Sequence, residues 1–213
     1  MAEITFYTNP MSRGQIARWA LEEAGADYEQ VLLDYDTTMK TADYLAINPM
    51  GKVPAIVHHS GGGDRVVTEA AAICAYLADA YPDKELAPTE AERADYYRWI
   101  FFAAGPIEAA VTAKSLGMLP DPEKAKSVGY GSYDDVINAL DHVLGDGRAF
   151  ICGDRFTMAD VYFGSQIDWG LMFGTIEKRP NFEAYAARLQ QRPAYQKAKA
   201  IDGELIAKMQ QSG

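Results

Sequence analysis

The chain has 213 residues, 48% of them apolar, which is enough for one large domain or two small ones. Acidic residues outnumber basic ones 30 to 20, and the net charge of −10 argues against a nucleic-acid binder, which needs a basic footprint. No apolar run approaches the roughly 18 residues of a membrane span, Met1-Ala2-Glu3-Ile4-Thr5-Phe6 lacks the regions of a signal peptide, and Cys74 and Cys152 form neither a metal-type spacing nor a CxxC pair. A reducing, cytoplasmic setting without a bound metal is the expectation.

In chain order, Ile4-Thr5-Phe6-Tyr7 reads as a strand and Asn9-Pro10-Met11 as a turn. Ser12 reads as the N-cap of a helix whose apolar face is Ile16, Ala17, Ala20, Leu21 and Ala24, with Gly25 just past its end. Residues 28–33 form a second strand and 41–46 a short helix. Val53 to His58 is a third strand, Gly61-Gly62-Gly63-Asp64 a hairpin loop, and Arg65-Val66-Val67 a fourth strand. Thr68 then caps a helix that ends near Tyr81-Pro82. The order βαβ, then ββα, describes one α/β sheet domain over residues 1–81.

Residues 82–90 are a linker with Pro82 and Pro88 in it. From there the strand signal disappears. Helical patterns cover residues 91–116, 133–144, 158–172, 181–192 and 195–208, so residues 91–213 are expected to form an all-helical domain. Thr157-Met158-Ala159-Asp160 is a capping box with Asp in place of Glu, and Phe156 and Val161 occupy the staple positions. Residues 114–133 carry Gly and Pro without a steady period and read as a loop.

Chemistry concentrates in three places. Proline cannot donate to a strand ladder, so Pro54 is either on an edge or in a kinked cis bond. The cis form costs only about 0.5–1 kcal/mol before proline. It would turn the N–H and C=O of Val53 outward as a pair that matches an extended peptide. Glu69-Ala70 opens a helix whose free amides and dipole suit a carboxylate, while Glu69 itself either complements the dipole or pairs with an ammonium group. Lys52 is either a solvated lysine or the partner of a second carboxylate. Ser12 caps its helix, yet the same hydroxyl and dipole would stabilise a bound thiolate. A hydrogen bond to a charged group is worth about 1.5–3 kcal/mol, or roughly one to two pKa units of thiol acidity. Tyr7 is the rival donor. Arg13 and Arg18 could add positive potential, though Arg18 more naturally pairs with a carboxylate such as Glu22. Cys74 reads as a buried core thiol and Cys152 has no nearby partner.

Together these segments resemble a cytosolic glutathione S-transferase over essentially the whole chain. Tyr7-Thr8-Asn9-Pro10-Met11-Ser12-Arg13 with Arg18-Trp19-Ala20-Leu21-Glu22-Glu23 is similar to the first strand, catalytic turn and first helix of bacterial members. Asn48-Pro49-Met50-Gly51-Lys52-Val53-Pro54 resembles the strand that carries the family's cis-proline, Glu69-Ala70 with Ala72-Ile73 the following helix start, and Thr157-Met158-Ala159-Asp160 the capping box of the helical domain. The resemblance implies a thioredoxin-like N-terminal domain, an all-helical C-terminal domain and a homodimer. It implies detoxifying conjugation of glutathione, as co-substrate, to small hydrophobic electrophiles.

By position, Ser12 would hold the glutathione sulfur, with Tyr7 the alternative. Ser12 is preferred because its helix start adds a dipole to the hydroxyl. Lys52 would meet the glycine carboxylate, Val53 beside Pro54 the cysteinyl backbone, and Glu69 with the Ala70 amide the γ-glutamyl end. The resemblance puts an electrophile pocket between the domains, lined by Met11, Tyr97, Phe101, Phe102 and Gly105. Two departures stand out. Ala70 lacks the hydroxyl that the family usually offers there, and serine at position 12 forbids the mixed disulfides of cysteine-bearing members. A non-catalytic scaffold of the same fold, and peroxidase, dehalogenase or isomerase chemistry on the same thiolate, are the alternatives.

Overall fold

The computed structural model describes residues 2–212. Strand β1 (Ile4–Thr8) is almost wholly buried, and helix α1 (Gly14–Ala24) turns Ile16, Ala17, Ala20, Leu21 and Ala24 inward at helical spacing. Strand β2 (Tyr28–Leu32) returns parallel to β1, with Ile4 opposite Tyr28 and Thr8 opposite Leu32. The short helix α2 (Ala42–Ile47) is capped by Thr41, whose hydroxyl accepts the Tyr44 amide at 3.5 Å. Strands β3 (Ala55–Ser60) and β4 (Gly63–Thr68) then make an antiparallel hairpin, and β3 also pairs antiparallel with β1. The result is a four-stranded mixed sheet of order β2-β1-β3-β4, the thioredoxin-like arrangement, with α1 packed on α3 (Ala70–Ala80).

Three boundaries differ from those read in the sequence. β3 begins at Ala55 rather than Val53, because Pro54 has no N–H for a ladder. The hairpin loop shrinks to Gly61-Gly62, since Gly63 already pairs with Ser60 and Asp64 with His59. α3 takes Glu69 as its cap, because Thr68 is still held in β4 opposite Ala55.

The chain divides into two compact units: residues up to Leu86 together with those from Gln191 onward, and Ala87–Gln190. The second unit is helical. The periodicity over residues 91–116 suggests one helix; the structure has α4 (Arg93–Phe102) and α5 (Glu108–Ser115), with a wide π turn at Ala103–Ile107 between them. Pro106 lies inside that turn, and a proline removes one backbone donor and crowds the preceding turn. Helices α6 (Tyr133–Leu144), α7 (Met158–Phe173) and α8 (Pro180–Gln190) complete the unit, and a short 3-10 turn (Pro122–Ser127) lies between α5 and α6. α7 is its core, buried along most of its length and opened by the reciprocal Thr157–Asp160 box. Asp160 also accepts the Ile151 amide and the Tyr185 hydroxyl, both at 2.7 Å.

Helix α9 (Pro193–Ser212) groups with the first unit, whereas the sequence places all of 91–213 together. A buried ion pair and aromatic packing both join α9 to α1. Arg18 on α1 is 1% exposed and donates to Asp202 on α9 and to Gln30, each at 2.8 Å, with its guanidinium 5.2 Å from the centre of the Phe6 ring. The expected Arg18–Glu22 pair does not form; Glu22 instead accepts from Lys197 at 2.6 Å and from the Tyr28 hydroxyl at 2.7 Å. Glu23 accepts from Arg192 at 2.6 Å, and Trp19 meets Tyr195 edge to face. Among the described residues no helix is long and apolar enough to cross a membrane.

Candidate functional site

Strand register gathers the candidate residues of the first unit at one end of the sheet. Ala55 lies opposite Tyr7 on one side and opposite Thr68 on the other. Continuing the register sets Pro54 between Thr8 and Glu69. The turn 9–13 leaves β1 at this end, and α3 begins here.

Two turns with the same Asn-Pro-Met sequence flank the site. Asn9 is 2% exposed; its side-chain oxygen accepts the Met11 amide at 2.9 Å and its amide donates to Leu33 O at 2.8 Å. Asn48 repeats the pattern, accepting the Met50 amide at 3.1 Å and donating to Lys52 O at 2.7 Å. These are Asx turns in which the other half of each amide ties the loop down, Asn9 to a carbonyl 24 residues on and Asn48 to one four residues on. The Tyr44 hydroxyl also donates to Lys52 O at 2.6 Å, so the backbone just before Val53 is held twice. Gly51, at φ 56°, has no room for a side chain: a Cβ would stand 2.7 Å from Met39 O.

The peptide bond from Val53 to Pro54 is cis. Val53 is half-buried and sits before the ladder of β3, and among the described residues its N–H and C=O form no hydrogen bond. Both groups are thus left without a protein partner beside the cis proline. Lys52, next to it, is exposed.

Glu69 is exposed and adopts φ 66°, ψ 119°, a backbone conformation that costs a non-glycine residue about 1–3 kcal/mol. Its carbonyl accepts the Ile73 amide at 2.9 Å, the first bond of α3. The amides of Ala70, Ala71 and Ala72 therefore lack intrahelical partners and point out of the helix start. Ala70 itself is buried.

Ser12 is half-buried just before α1. Its hydroxyl donates to Asn9 O at 2.6 Å and accepts the Gly14 amide at 2.9 Å. The cap position falls on Arg13, one residue later than the sequence suggests, but Ser12 still satisfies a first-turn amide. Tyr7 is placed differently. Its ring lies 5.4 Å from Tyr44 and packs against the cluster of Leu33, Met39, Tyr44 and Ala55. Burial, and then the nearby Glu29 charge, pushes its phenol above the ordinary range and keeps it protonated.

The remaining candidates are split between the units. Met11 is 56% exposed on the first. On the second, Tyr97 and Phe101 are 48% and 68% exposed one helical turn apart, with stacked rings 6.4 Å between centres. Phe102 is half-buried against Trp99, and Gly105 is exposed in the π turn. Cys74 and Cys152 are free and buried; burial pushes the Cys74 thiol far up and that of Cys152 to about 12. Thr8, Asn9, Tyr44 and Asn48 are the residues of this site that the sequence reading did not single out. Only the two Asn-Pro dipeptides offered a local signal.

Comparison with known proteins agrees along both units. The family model for the glutathione S-transferase N-terminal domain matches residues 2–79, and that for the C-terminal domain matches residues 107–193. The glutathione S-transferase GstA of Escherichia coli O157:H7 is 31% identical over 192 residues, covering 86% of this chain and 90% of its own. Glutathione S-transferase 2 of Schizosaccharomyces pombe is 27% identical over 236 residues, covering 98% and 93%. Among solved structures, a glutathione transferase from Methylococcus capsulatus matches with a TM-score of 0.75 at 30% identity, over 94% of this chain and 98% of the other. A sphingomonad glutathione S-transferase complexed with glutathione matches with a TM-score of 0.73 at 30% identity, over 93% and 98%.

Proposed function

The chain belongs to the glutathione S-transferase family and is a glutathione transferase, and we propose that it activates glutathione as a thiolate at Ser12 and conjugates it to small hydrophobic electrophiles. One observation carries this reading: the unpaired N–H and C=O of Val53, beside a cis proline at the open end of the sheet. A donor and an acceptor side by side are what the cysteinyl unit of an extended tripeptide requires.

The other residues fit the two ends of that peptide. The Ala70 amide and the α3 dipole receive the γ-glutamyl carboxylate, and Glu69 pairs with the ammonium group on the same carbon. Lys52 meets the glycine carboxylate. Glutathione supplies the nucleophilic sulfur. Ser12 donates its hydroxyl proton to the thiolate, which lowers the thiol pKa by roughly one to two units from about 8.5. The positive end of α1 adds to the effect.

Met11 on the first unit, and Tyr97, Phe101, Phe102 and Gly105 on the second, are assigned to the electrophile; exposed apolar surface supports Met11, Tyr97 and Phe101, and the resemblance alone supports Phe102 and Gly105. Phe101→Ala is expected to raise KM for a hydrophobic electrophile several-fold and leave KM for glutathione unchanged; an equal rise in both would remove Phe101 from this role. Exposed Met50 and Val66 support a homodimer, whose mass in solution would be twice that of the chain. The free, buried Cys74 and Cys152 support a reducing, cytoplasmic setting.

The deciding experiment is conjugation of a chlorodinitrobenzene-type electrophile by wild type, Ser12→Ala and Tyr7→Phe. Ser12→Ala is expected to lose about 2–3 kcal/mol of transition-state stabilisation, on the scale of deleting one oxyanion donor. A crippled Tyr7→Phe with an active Ser12→Ala would move the role to Tyr7. Failure of the wild type to bind immobilised glutathione at millimolar concentration would favour a scaffold.

A further inference from the structure

We propose that Thr8 is a positioning residue for Ser12: its buried hydroxyl donates to Ser12 Oγ when Ser12 turns its own proton toward the glutathione sulfur. The inference rests on the assignment of Ser12 made above and adds a second hydroxyl to it.

Thr8 closes β1 and is 0% exposed, yet its Oγ1 has no hydrogen-bond partner among the described residues. Buried hydroxyls are almost always bonded, so this one needs a reason. Its surroundings suggest one. A Cβ built on Gly14 would stand 2.0 Å from Thr8 Oγ1, 3.1 Å from Ser12 Oγ and 3.2 Å from Asn9 O. Three oxygens thus crowd the first residue of α1, and only glycine leaves them the space.

A hydroxyl has one proton and two lone pairs. The Ser12 proton is committed to Asn9 O at 2.6 Å, and one Ser12 lone pair takes the Gly14 amide at 2.9 Å. When the proton swings to a thiolate, Asn9 O keeps the Ser12 amide at 3.1 Å and is not orphaned. Ser12 Oγ has a second lone pair to fill in either arrangement, and Thr8 is a buried donor with no partner among the described residues. Both oxygens border the space that a Gly14 Cβ would fill, and the proposed bond joins them across it. Gly14 N–H and Thr8 O–H then both donate to Ser12 Oγ, and Ser12 O–H donates to sulfur. No proton changes owner along this chain; the proton of the thiol leaves to water. Hydrogen bonds in series polarise one another, so the last donor is strengthened. Because the Ser12 proton then goes to a charged acceptor, a bond from Thr8 into Ser12 Oγ is worth more in the thiolate-bound arrangement, which tilts the site toward that state.

The test uses the full-length protein. Thr8→Val keeps the shape and removes the hydroxyl, and Thr8→Ser keeps the hydroxyl. The readouts are the pH profile of kcat/KM for glutathione and the ultraviolet absorbance of the bound thiolate. Thr8→Val is expected to raise the apparent thiol pKa by about half a unit, roughly a threefold loss of thiolate at neutral pH, and to leave activity well above that pKa unchanged. Thr8→Ser should titrate like the wild type, and Thr8→Ala should repeat the shift if the valine variant folds poorly. In a Ser12→Ala background the valine replacement should move nothing. An unchanged thiol pKa in Thr8→Val, or the same shift with Ser12 absent, would overturn the proposal. Failure of the Ser12 assignment reads separately, as a wild-type thiol pKa in Ser12→Ala alone.

Discussion

Glu69, proposed above to hold the γ-glutamyl ammonium group, carries a backbone cost whatever its role. Its positive φ is a conformation that glycine would adopt without penalty, so Glu69→Gly isolates the side chain from the backbone. The expected result is a protein about 1 kcal/mol more stable to denaturant but with a several-fold higher KM for glutathione. A rise in KM without gain in stability would mean that the surrounding structure has already absorbed the strain. Legibility at this scale followed locality. Ser12, Pro54 and Glu69 announce themselves through cap and strand chemistry within a few neighbours. Asn9 announces a turn, but the bond from its amide to Leu33 spans 24 residues and leaves no local trace. Thr8 reads as an ordinary strand residue; its unpaired hydroxyl exists only once α1 has folded back over it.

Helix starts were the most legible elements, because capping is written in four consecutive residues. Thr157 and Asp160 are readable in the sequence; Thr89 and Glu92 make the equivalent contact ahead of α4 with the same spacing, but the boundary between linker (82–90) and helix (91–116) falls between them. There Glu92 accepts from the Thr89 amide at 2.8 Å and its hydroxyl at 2.9 Å, and is clasped by Arg155 as well. The Arg155 bonds hold the Glu92 carboxyl below its usual range, with the Thr89 bonds adding to them. A carboxyl lowered by folding contributes stability above its unfolded pKa of about 4.3 and loses that contribution as pH falls through the folded value. Arg155→Met should therefore cost about 1 kcal/mol at neutral pH. In urea titrations the gap from wild type should close below about pH 4. A gap that persists in acid would assign the loss to packing. The break between α4 and α5 was not legible, since the helical pattern over residues 91–116 runs straight through Pro106.

At the scale of the whole molecule, the buried Arg18 decides which segment belongs where. Arg18 and Asp202 are both about fully buried, and burial pushes the Asp202 carboxyl up despite the opposing guanidinium. Removing one partner of a buried pair strands the other charge. Asp202→Ala should cost about 3–5 kcal/mol in equilibrium unfolding, whereas Lys197→Ala, at an exposed lysine, should cost under about 1 kcal/mol. Similar losses from both would show that α9 is held by its apolar face instead. The two-part organisation was plain from the disappearance of strand signals after residue 82. The allegiance of α9 was not, because a helical period says that a face is buried and not what buries it.

Arg18 also fixes an order of events. Its carboxylate partner lies 184 residues downstream, so during synthesis the guanidinium has Gln30 within reach but no ionic partner until α9 is made. The unit encoded in between has its entire sequence in hand well before that. The first unit is thus interrupted in sequence by the second, and its buried ion pair can close only after the intervening unit has been made.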